Sequence, residues 1–376
     1  MANYDLNTHQ VKDNVQASSL SPSLKGAISN LLGNAADTTL DKLLAEPHTT
    51  VEIGRATGFA LAEAGGKYTA TSDTRVIIIE GDAPTELDVS IEDPSAQFVV
   101  VGGTGADAIT LTDASVLASA DGEVGVATID GSDGDDLIVG SIGNDRLSGS
   151  NGNDTVFGGE GNDFIDGGAD NDILNGGKGN DRIITGAGSD TVDGGSGYDQ
   201  VVIGGDRAAH TVVVNGDKLE ITSGGETKTV TGAEFISFDQ GGPIVVTTDQ
   251  DQGTVARLYE AMLDRSADPD GLGNWLNWLA NGGTLSDIAQ GFAGSAEFAN
   301  LTAGKDDATF VEAMYQRTFD RSADPDGMTT WLGQLQSGAM DRATVALNFA
   351  ASEEAQAKFD YVKIVGIVNQ TNDDIV

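Results

Sequence analysis

The residues of this chain that can do chemistry are aspartates that recur at a fixed interval of nine. Eight occur without a break: Asp136, Asp145, Asp154, Asp163, Asp172, Asp181, Asp190 and Asp199. Carboxylates offer hard oxygen ligands, and the repeats contain neither the thiolates nor the imidazoles that a softer metal prefers. The pattern therefore indicates a hard divalent cation, for which calcium is the natural candidate.

Two residues after each aspartate stands a branched aliphatic residue. The set is Ile138, Leu147, Val156, Ile165, Leu174, Ile183, Val192 and Val201. An aliphatic residue between two variable positions is typical of a very short strand with one side chain pointing inward. The glycines of each unit supply the positive φ angles with which the chain reverses between strands. Two units then make one coil, and residues eighteen apart stack on each other.

Stacked coils place like charges close together. Neighbouring coils lie about 4.8 Å apart, and two carboxylates at that distance repel by roughly 3 kcal/mol at an effective dielectric constant of about 20. One buried aliphatic residue per unit returns only about 1.5–3 kcal/mol. We therefore expect the array to stay unfolded until cations fill the gaps. Six pairs of aspartates are eighteen apart, which predicts about six calcium ions.

The units, for example Gly158-Gly-Glu-Gly-Asn-Asp-Phe-Ile-Asp166, resemble the RTX calcium-binding nonapeptide. The resemblance implies a parallel β-roll over residues 131–205, in which calcium is held between turns by the aspartates and loop carbonyls. The departures are Ser132, Ser141 and Ser150 at the second glycine, Thr185 at the first and Asp170 at the fourth. Because a side chain replaces glycine at Asp170, we expect one weak or altered site. A flexible glycine-rich linker, the alternative, predicts neither the regular aspartates nor the regular aliphatics.

Aliphatic clusters ahead of the array predict irregular β-solenoid coils over residues 67–130. Examples are Val76-Ile-Ile-Ile79 and Phe98-Val-Val-Val101. One more nonapeptide begins at Gly102 and contains Asp107, but Gly125 stands eighteen residues after that aspartate. Whether Asp107 binds calcium therefore stays open.

Residues 1–66 are expected to form an N-terminal helical cap. Leucine and isoleucine residues at helical spacing predict two short amphipathic helices, over residues 24–32 and 40–44. They could cap the solenoid or bind a partner. Capping is favoured, because an open solenoid end exposes unpaired strand edges.

Residues 206–248 are expected to form a β cap after the roll. Thr211-Val-Val-Val214 and Leu219-Glu-Ile221, joined through Asn215-Gly216, predict a hairpin. The segment Glu234-Phe-Ile-Ser-Phe238 is similar to the strand that closes the roll in RTX proteins.

Residues 254–359 carry a helical pattern that repeats at a spacing of 56. Both copies contain Arg-Ser-Ala-Asp-Pro-Asp-Gly, beginning at Arg265 and at Arg321. The tandem resembles a helical domain of unknown function that is often attached to RTX repeats, and it supplies no activity. The predicted fold class is therefore α+β multidomain, with a β-roll or β-solenoid centre and an all-α C-terminal domain.

Two features of the helical repeat allow alternative interpretations. Its Ser-x-Asp-x-Asp-Gly strings place Asp268 and Asp324 at EF-hand spacing, but the closing glutamate is replaced by Asn277 and Gly333. A loop whose aspartate caps the next helix is the favoured interpretation, and calcium binding there stays open. The tryptophans at helical spacing are expected in the core rather than on a sugar-binding face; they are Trp275, Trp278 and Trp331.

Nothing in the sequence indicates an active site. The histidines, His9, His48 and His210, are far apart and form no HExxH motif, and no GxSxG motif occurs. There is no cysteine, which excludes disulfides and a thiol nucleophile. With 59 acidic and 20 basic residues the formal net charge is −39, which excludes nucleic acid as a partner. We therefore expect no enzymatic activity.

The two ends of the chain bear on its location. The N-terminus lacks the basic start and apolar core of a cleaved signal peptide, and no apolar run approaches the roughly 20 residues that span a bilayer. Residues 360–376, which end in Asn-Asp-Asp-Ile-Val, resemble the uncleaved C-terminal signals of type I secretion substrates. The resemblance implies an extracellular or cell-surface protein that is exported by type I secretion machinery.

Two non-enzymatic functions remain open. One is a secreted calcium-binding structural protein that self-associates into an extracellular layer, filament or matrix. The other is a cell-surface adhesin that binds polysaccharide or a host surface. An RTX-type secreted enzyme is the least favoured. The sequence shows no aromatic-rich binding face, which favours the structural protein.

Overall fold

The computed structural model describes residues 5–6, 40–41, 59–63, 76–80, 86–91, 98–102, 105–113 and 127–365. The chain divides into two compact units. The first comprises residues 1–204, 209–212 and 219–233, and the second comprises residues 205–208, 213–218 and 234–376.

The first unit is a β-solenoid with two largely parallel sheets. One sheet contains, in spatial order, β3 (Phe59–Glu63), β4 (Val76–Glu80), β6 (Phe98–Val101), β8 (Ala127–Asp130), β10 (Arg146–Asn151), β12 (Phe164–Ala169), β14 (Arg182–Ile184) and β16 (Gln200–Asp206). The other contains β5 (Glu86–Ile91), β7 (Ala108–Asp113), β9 (Leu137–Val139), β11 (Thr155–Glu160), β13 (Ile173–Lys178), β15 (Thr191–Ser196), β19 (Glu226–Thr231) and β18 (Lys218–Ser223). Successive strands therefore alternate between the sheets through the repeat array, as expected for a roll.

The strand register confirms that residues eighteen apart stack. Val156 pairs with Leu174 in one sheet, and Ile165 pairs with Ile183 in the other. The aliphatic residue of each nonapeptide is 0–1% exposed in all eight units. One inward side chain per short strand thus fills the narrow space between the sheets, and the burial of these side chains is the hydrophobic contribution to the stability of the roll.

The solenoid begins earlier than the sequence predicts. Strand β3 pairs in parallel with β4, so the first described coil starts at Phe59 rather than at residue 67. Leu40–Asp41 forms β2, which pairs antiparallel with β1 (Asp5–Leu6). A helix that starts at Leu40 is therefore wrong, and the rest of both predicted N-terminal helices lies outside the described residues.

The coil that follows β15 is supplied by a segment that the sequence analysis did not single out. Strand β19 pairs in parallel with β15, with Thr229 opposite Thr191. Strand β18 then pairs antiparallel with β19, with Leu219 opposite Val230. Strand β17 (Thr211–Asn215) precedes β18, and Gly216 between them has a φ of 71°. Both strands of the expected hairpin are therefore present.

The second unit combines three strands with a helical domain. Strands β20 (Phe235–Gln240) and β21 (Ile244–Thr247) are antiparallel, and β22 (Val362–Ile364) runs parallel to β21. Two residues after β21 the helices begin: α1 (Gln250–Leu258), α2 (Pro269–Ala280), α3 (Leu285–Ala293), α4 (Ala296–Thr302), α5 (Asp307–Phe319), α6 (Pro325–Gln336), α7 (Arg342–Ala351) and α8 (Glu353–Lys358). Residues 259–263 continue α1 as a π-helical turn.

The helical unit has its own core. Phe310, Met314 and Phe349 are 0–2% exposed, and Tyr315 meets the ring of Phe349 edge-on at a centroid distance of 5.0 Å. The predicted secretion tail, residues 360–376, does not begin as a separate segment, because β22 pairs with β21 inside this unit. Residues 366–376 lie outside the described part of the chain.

Candidate metal centre

The stacking of the coils brings the eight repeated aspartates into two rows. One row, the first edge, contains Asp136, Asp154, Asp172 and Asp190, and the other, the second edge, contains Asp145, Asp163, Asp181 and Asp199. All eight are 0–2% exposed. Carboxylates this deeply buried need partners, because transfer of an unpaired charge from water is costly.

One oxygen of each carboxylate is used to join the coils. The backbone N–H of Asp145 donates to Asp163 Oδ1 at 2.7 Å, and that of Asp163 donates to Asp181 Oδ1 at 2.8 Å. The same bond links Asp136 to Asp154 on the first edge, at 2.8 Å. Each Oδ1 therefore faces the preceding coil and is satisfied by the backbone.

The other oxygen has no protein partner in most of the repeats. Among the described residues, no hydrogen bond reaches Oδ2 of Asp136, Asp154, Asp163, Asp172 or Asp181, although these atoms are shielded from solvent. A buried, unpaired acceptor is rare in folded proteins, and a cation would satisfy it. These oxygens fit a metal ion that completes the site.

Backbone carbonyls point into the same gaps as the free carboxylate oxygens. A Cβ added to Gly161, whose φ is 113°, would collide with the carbonyl oxygen of Gly143 in the preceding coil. The fourth-position carbonyl is thus directed at the next coil. A Cβ added to Gly158 would collide with Asp163 Oδ2. The first glycine of each unit is therefore required because its missing side chain leaves room for the carboxylate.

Burial changes the acid–base chemistry of these groups. Desolvation raises the pKa of Asp136 and Asp172 from an ordinary 3.8 to about 7, and that of Asp163 to about 8. The stacked carboxylates of Asp145 and Asp181 raise the pKa of Asp163 further, whereas the hydrogen bond from the Asp145 backbone opposes the shift. Without a cation, these carboxylates therefore take up protons near neutral pH.

The departures from the repeat leave its backbone intact. Ser132, Ser150 and Asp170 adopt the left-handed φ angles of 76°, 80° and 73° that glycine normally provides, at a cost of about 1–2 kcal/mol each. The carbonyl of Asp170 still points at Gly188 in the next coil. The loop at Asp170 is therefore not altered in its backbone, and a weaker site there stays a prediction.

Ser141 departs in another way. Its backbone N–H and its hydroxyl both donate to Asp145 Oδ2, at 2.6 and 2.8 Å. This carboxylate is therefore satisfied by protein donors, unlike the carboxylates with a free Oδ2. A cation next to Asp145 would have to share this oxygen with Ser141.

Asp107 extends the first edge by one loop. Its backbone N–H donates to Asp136 Oδ1 at 2.7 Å, and its own carbonyl accepts from the Leu137 N–H at 2.7 Å. Asp107 is 2% exposed. Its stacking partner lies 29 residues further on, because the intervening coil is longer than the repeat, and is therefore not the residue eighteen positions on, Gly125.

The oxygen atoms that line each gap are the kind of ligand that a hard cation prefers. Two carboxylates face each other across a gap, and carbonyl oxygens complete the set, which is the chemistry that calcium prefers. In the part of the chain that the structure describes, three His, Cys, Asp or Glu side chains never converge on one point. A site here would therefore rely on backbone oxygens for much of its coordination.

Comparisons with known families agree with this geometry. A model of the RTX calcium-binding nonapeptide repeat, which spans four copies, matches residues 130–165 and 166–201. The chain contains RTX repeats. The domain of unknown function DUF4214 matches residues 247–302 and 289–359, which confirms the tandem that follows the RTX roll. No curated protein matches the chain.

Outside the RTX roll, the EF-hand-like loops act as helix caps. Asp268 accepts a hydrogen bond from the Gly271 N–H and Asp324 accepts one from the Gly327 N–H, both at 2.8 Å. Each aspartate also meets the arginine three residues before it, Arg265 or Arg321. This pairing satisfies both carboxylates, so the capping interpretation is confirmed.

The expected burial of the tryptophans is only partly right. Trp275 stacks on Phe292 at 5.6 Å, and Trp331 lies against Phe349 at 5.2 Å. Trp278, however, is 52% exposed, so its placement in the core was wrong. Helical spacing alone did not separate these cases, because it does not specify how much of each side chain the tertiary packing covers.

A cavity of about 730 Å³ lies in the second unit. Two ion pairs lie among the residues that line it: Arg317 lies 3.6 Å from Asp264, and Lys358 lies 3.1 Å from Asp320. Histidine is absent from the residues that line it.

The row geometry predicts unequal effects of two aspartate substitutions. Asp163→Ala removes a carboxylate that faces two gaps and leaves the buried Asp145 N–H unpaired, which costs about 1–3 kcal/mol. Asp199 is the last aspartate of its row and shares one aspartate-lined gap, with Asp181. We expect Asp163→Ala to reduce the calcium stoichiometry by about two ions and Asp199→Ala by about one, as measured by calcium titration calorimetry.

The control for this comparison is Asp193→Ala, which removes an exposed carboxylate of the same roll. It should leave the stoichiometry unchanged. Equal losses in Asp163→Ala and Asp199→Ala would contradict the stacking of sites along an edge.

Proposed function

We propose that this is a secreted calcium-binding structural protein, whose RTX roll folds on export and which assembles with copies of itself into an extracellular layer, filament or matrix. The observation that supports calcium binding most strongly is the row of buried Oδ2 atoms that reach no hydrogen-bond partner within the described part of the chain. RTX repeats bind calcium and are typical of secreted proteins, and together with DUF4214 they suggest a non-catalytic role.

Export provides the signal for folding. Extracellular calcium modules bind with dissociation constants of about 10⁻⁴–10⁻³ M, far above the free calcium of a cytosol. Binding energy is folding energy for a site that does not exist in the unfolded chain. The chain would pass through type I secretion machinery unfolded and fold outside. No described helix is long and apolar enough to cross a membrane.

Asp107 adds one ion to the expected number. Hydrogen bonds link stacked aspartates across four gaps on the first edge and three on the second, which makes seven. We expect Asp107→Asn to lower the stoichiometry by about one ion, because asparagine keeps the volume and loses the charge. Equilibrium dialysis with calcium measures this, and an unchanged stoichiometry would remove Asp107 from the site.

Assembly is supported by two similar helices in which few side chains are fully buried. In α2 only Leu272 is buried, and in the described residues of α6 none is. Trp278 on α2 is 52% exposed. Because the tandem presents this kind of helix twice, one chain offers two related faces, and contacts between unlike faces of successive copies build open filaments.

Calcium would favour assembly by reducing charge repulsion. A chain of net charge −39 repels its copies. Six or seven bound calcium ions would cancel about twelve to fourteen of these charges. The same ions would make the roll rigid, so that it acts as a spacer between interacting ends.

Deletion of residues 254–359 should therefore abolish calcium-dependent self-association and leave calcium binding by the roll intact. Light scattering at increasing protein concentration measures association, and calcium titration of the same sample measures binding. Trp278→Ser should weaken association in the full chain with unchanged helical circular dichroism. A full-length protein that stays strictly monomeric in millimolar calcium contradicts assembly.

The exposed Trp278 also favours the second candidate, a cell-surface adhesin, because an open indole face can stack on a sugar ring. Binding of the calcium-loaded monomer to immobilised polysaccharides would support this function. Loss of that binding in Trp278→Ser, without a change in oligomeric state, would distinguish the adhesin from the structural protein.

A further inference from the structure

The coil that continues the first edge after Asp190 carries a cation where the earlier coils carry an acid. In the register of β15 with β19, Thr191 pairs with Thr229, so Lys228 stands opposite Asp190. The Thr229 N–H donates to the Asp190 carbonyl at 2.8 Å, just as the Thr191 N–H donates to the Asp172 carbonyl. Lys228 thus occupies the position at which every repeat has aspartate.

The ammonium group of Lys228 contacts the oxygen atoms that a repeat loop directs toward the following coil. Nζ donates to the carbonyl oxygens of Gly186 and Gly188, at 2.9 and 2.7 Å, and to Asp190 Oδ2 at 2.6 Å. These are the second, fourth and sixth positions of one nonapeptide. The Lys228 side chain is only 7% exposed and that of Asp190 is fully buried.

The contrast with the rest of the edge is direct. Oδ2 of Asp136, Asp154 and Asp172 reaches no partner among the described residues, whereas Oδ2 of Asp190 is bound by the lysine. The coil of β19 has Lys228 at the position where each repeat has aspartate. This coil therefore lacks the carboxylate ligand and has a positive charge in its place.

We propose that the Lys228 ammonium takes the place of a calcium ion between Asp190 and the coil of β19, and so ends the row of metal sites on the first edge. The inference rests on calcium binding by the roll, which is part of the proposed function. The tethered cation neutralises the last carboxylate without a metal. It also fixes β19, and with it the β18–β19 hairpin, to the last repeat of this edge.

The position of the metal ions in the wild-type protein tests the inference directly. Crystals of the full chain grown in calcium should give anomalous difference peaks in the gaps between Asp136, Asp154, Asp172 and Asp190, and no peak between Asp190 and Lys228. A peak in that last gap, with the ammonium displaced, overturns the inference. Absence of peaks from every gap overturns calcium binding itself, so the two failures are distinguishable.

A substitution at Lys228 tests the same point in solution. Lys228→Asp restores the repeat residue, and we expect it to bind one calcium ion more per chain than the wild type in equilibrium dialysis. The matched control is Lys178→Asp, because Lys178 lies on the same roll but its side chain is 69% exposed. Lys178→Asp should bind the wild-type number of ions. The same number in Lys228→Asp as in the wild type would overturn the inference, and the crystals of the wild type decide it independently of how this variant folds.

Discussion

Addition of millimolar calcium to the metal-free protein at pH 9 should convert the RTX roll from an unfolded segment into β structure. This pH lies above the pKa of about 8 to which burial raises Asp163, so the calcium-free roll would hold up to seven stacked pairs of carboxylates, each repelling by roughly 3 kcal/mol at an effective dielectric constant of about 20. The aliphatic residue of each repeat contributes only about 1.5–3 kcal/mol. The repulsion exceeds this hydrophobic contribution unless a cation binds between the carboxylates. The calcium-induced folding should therefore include most of residues 131–205.

Far-UV circular dichroism of the full chain, with hydrogen exchange to locate the change, measures this effect. The helical unit supplies an internal control, because its core of Phe310, Met314 and Phe349 is remote in sequence from the metal rows and should stay protected throughout. Magnesium at the same concentration should have little effect, since it demands a compact octahedral site. A roll that is equally protected with and without calcium contradicts the prediction.

The repeats could be read from the sequence because each position has a separate physical reason. Asp163 must face a gap, Ile165 must face the core, and Gly158 must leave room for the carboxylate. These requirements recur every nine residues, so the strand register follows from the period without any information about distant contacts. The N-caps at Asp268 and Asp324 were predictable for a similar reason, since capping depends on local sequence.

The features that the sequence analysis missed depend on chain segments outside the period. Asp107 stacks on Asp136 across 29 residues, and a longer coil cannot be measured from the repeat. Lys228 stands in the aspartate register only because the chain leaves the roll and returns with β19. A search for a positive residue two places before an aliphatic residue, as Lys228 precedes Val230, would have found this candidate. The exposure of Trp278 depends on tertiary packing, which helical spacing does not specify.

The stability of the metal-free roll should rise as the pH falls from 8 to 5, which is the reverse of its behaviour in calcium. Burial raises the pKa of Asp136 to about 7 and that of Asp163 to about 8, above the ordinary value of 3.8. In this range the folded roll binds more protons than the unfolded chain, so its stability is greatest at low pH and is lost as the pH rises through the folded-state pKa values. Calcium requires the ionised carboxylates, so its binding strengthens as the pH rises.

Urea unfolding of the roll at pH 5, 6.5 and 8, in metal-free buffer and in calcium, measures both slopes. The stability of the helical unit should depend on pH differently from that of the metal-free roll. Hydrogen bonds from the Gly271 and Gly327 backbone help to lower the pKa of Asp268 and Asp324, so these caps are weakened at low pH rather than strengthened. A metal-free roll that loses stability as the pH falls would show that its carboxylates are not held in the protonated form.

Asp163→Asn separates the charge of the carboxylate from its shape. The amide has nearly the volume of the protonated acid, and its oxygen can still accept the hydrogen bond that the Asp145 N–H gives to Oδ1 at 2.7 Å. In metal-free buffer at pH 8 this variant should therefore be more stable than the wild type, because it removes a charge whose burial, and whose repulsion from Asp145 and Asp181, raise the pKa of Asp163. In calcium it should be less stable than the wild type, because it has lost a charged ligand. The two effects have opposite signs at one residue, so a substitution that merely disturbed packing, which would destabilise the roll in both buffers, is distinguished from one that acts through charge.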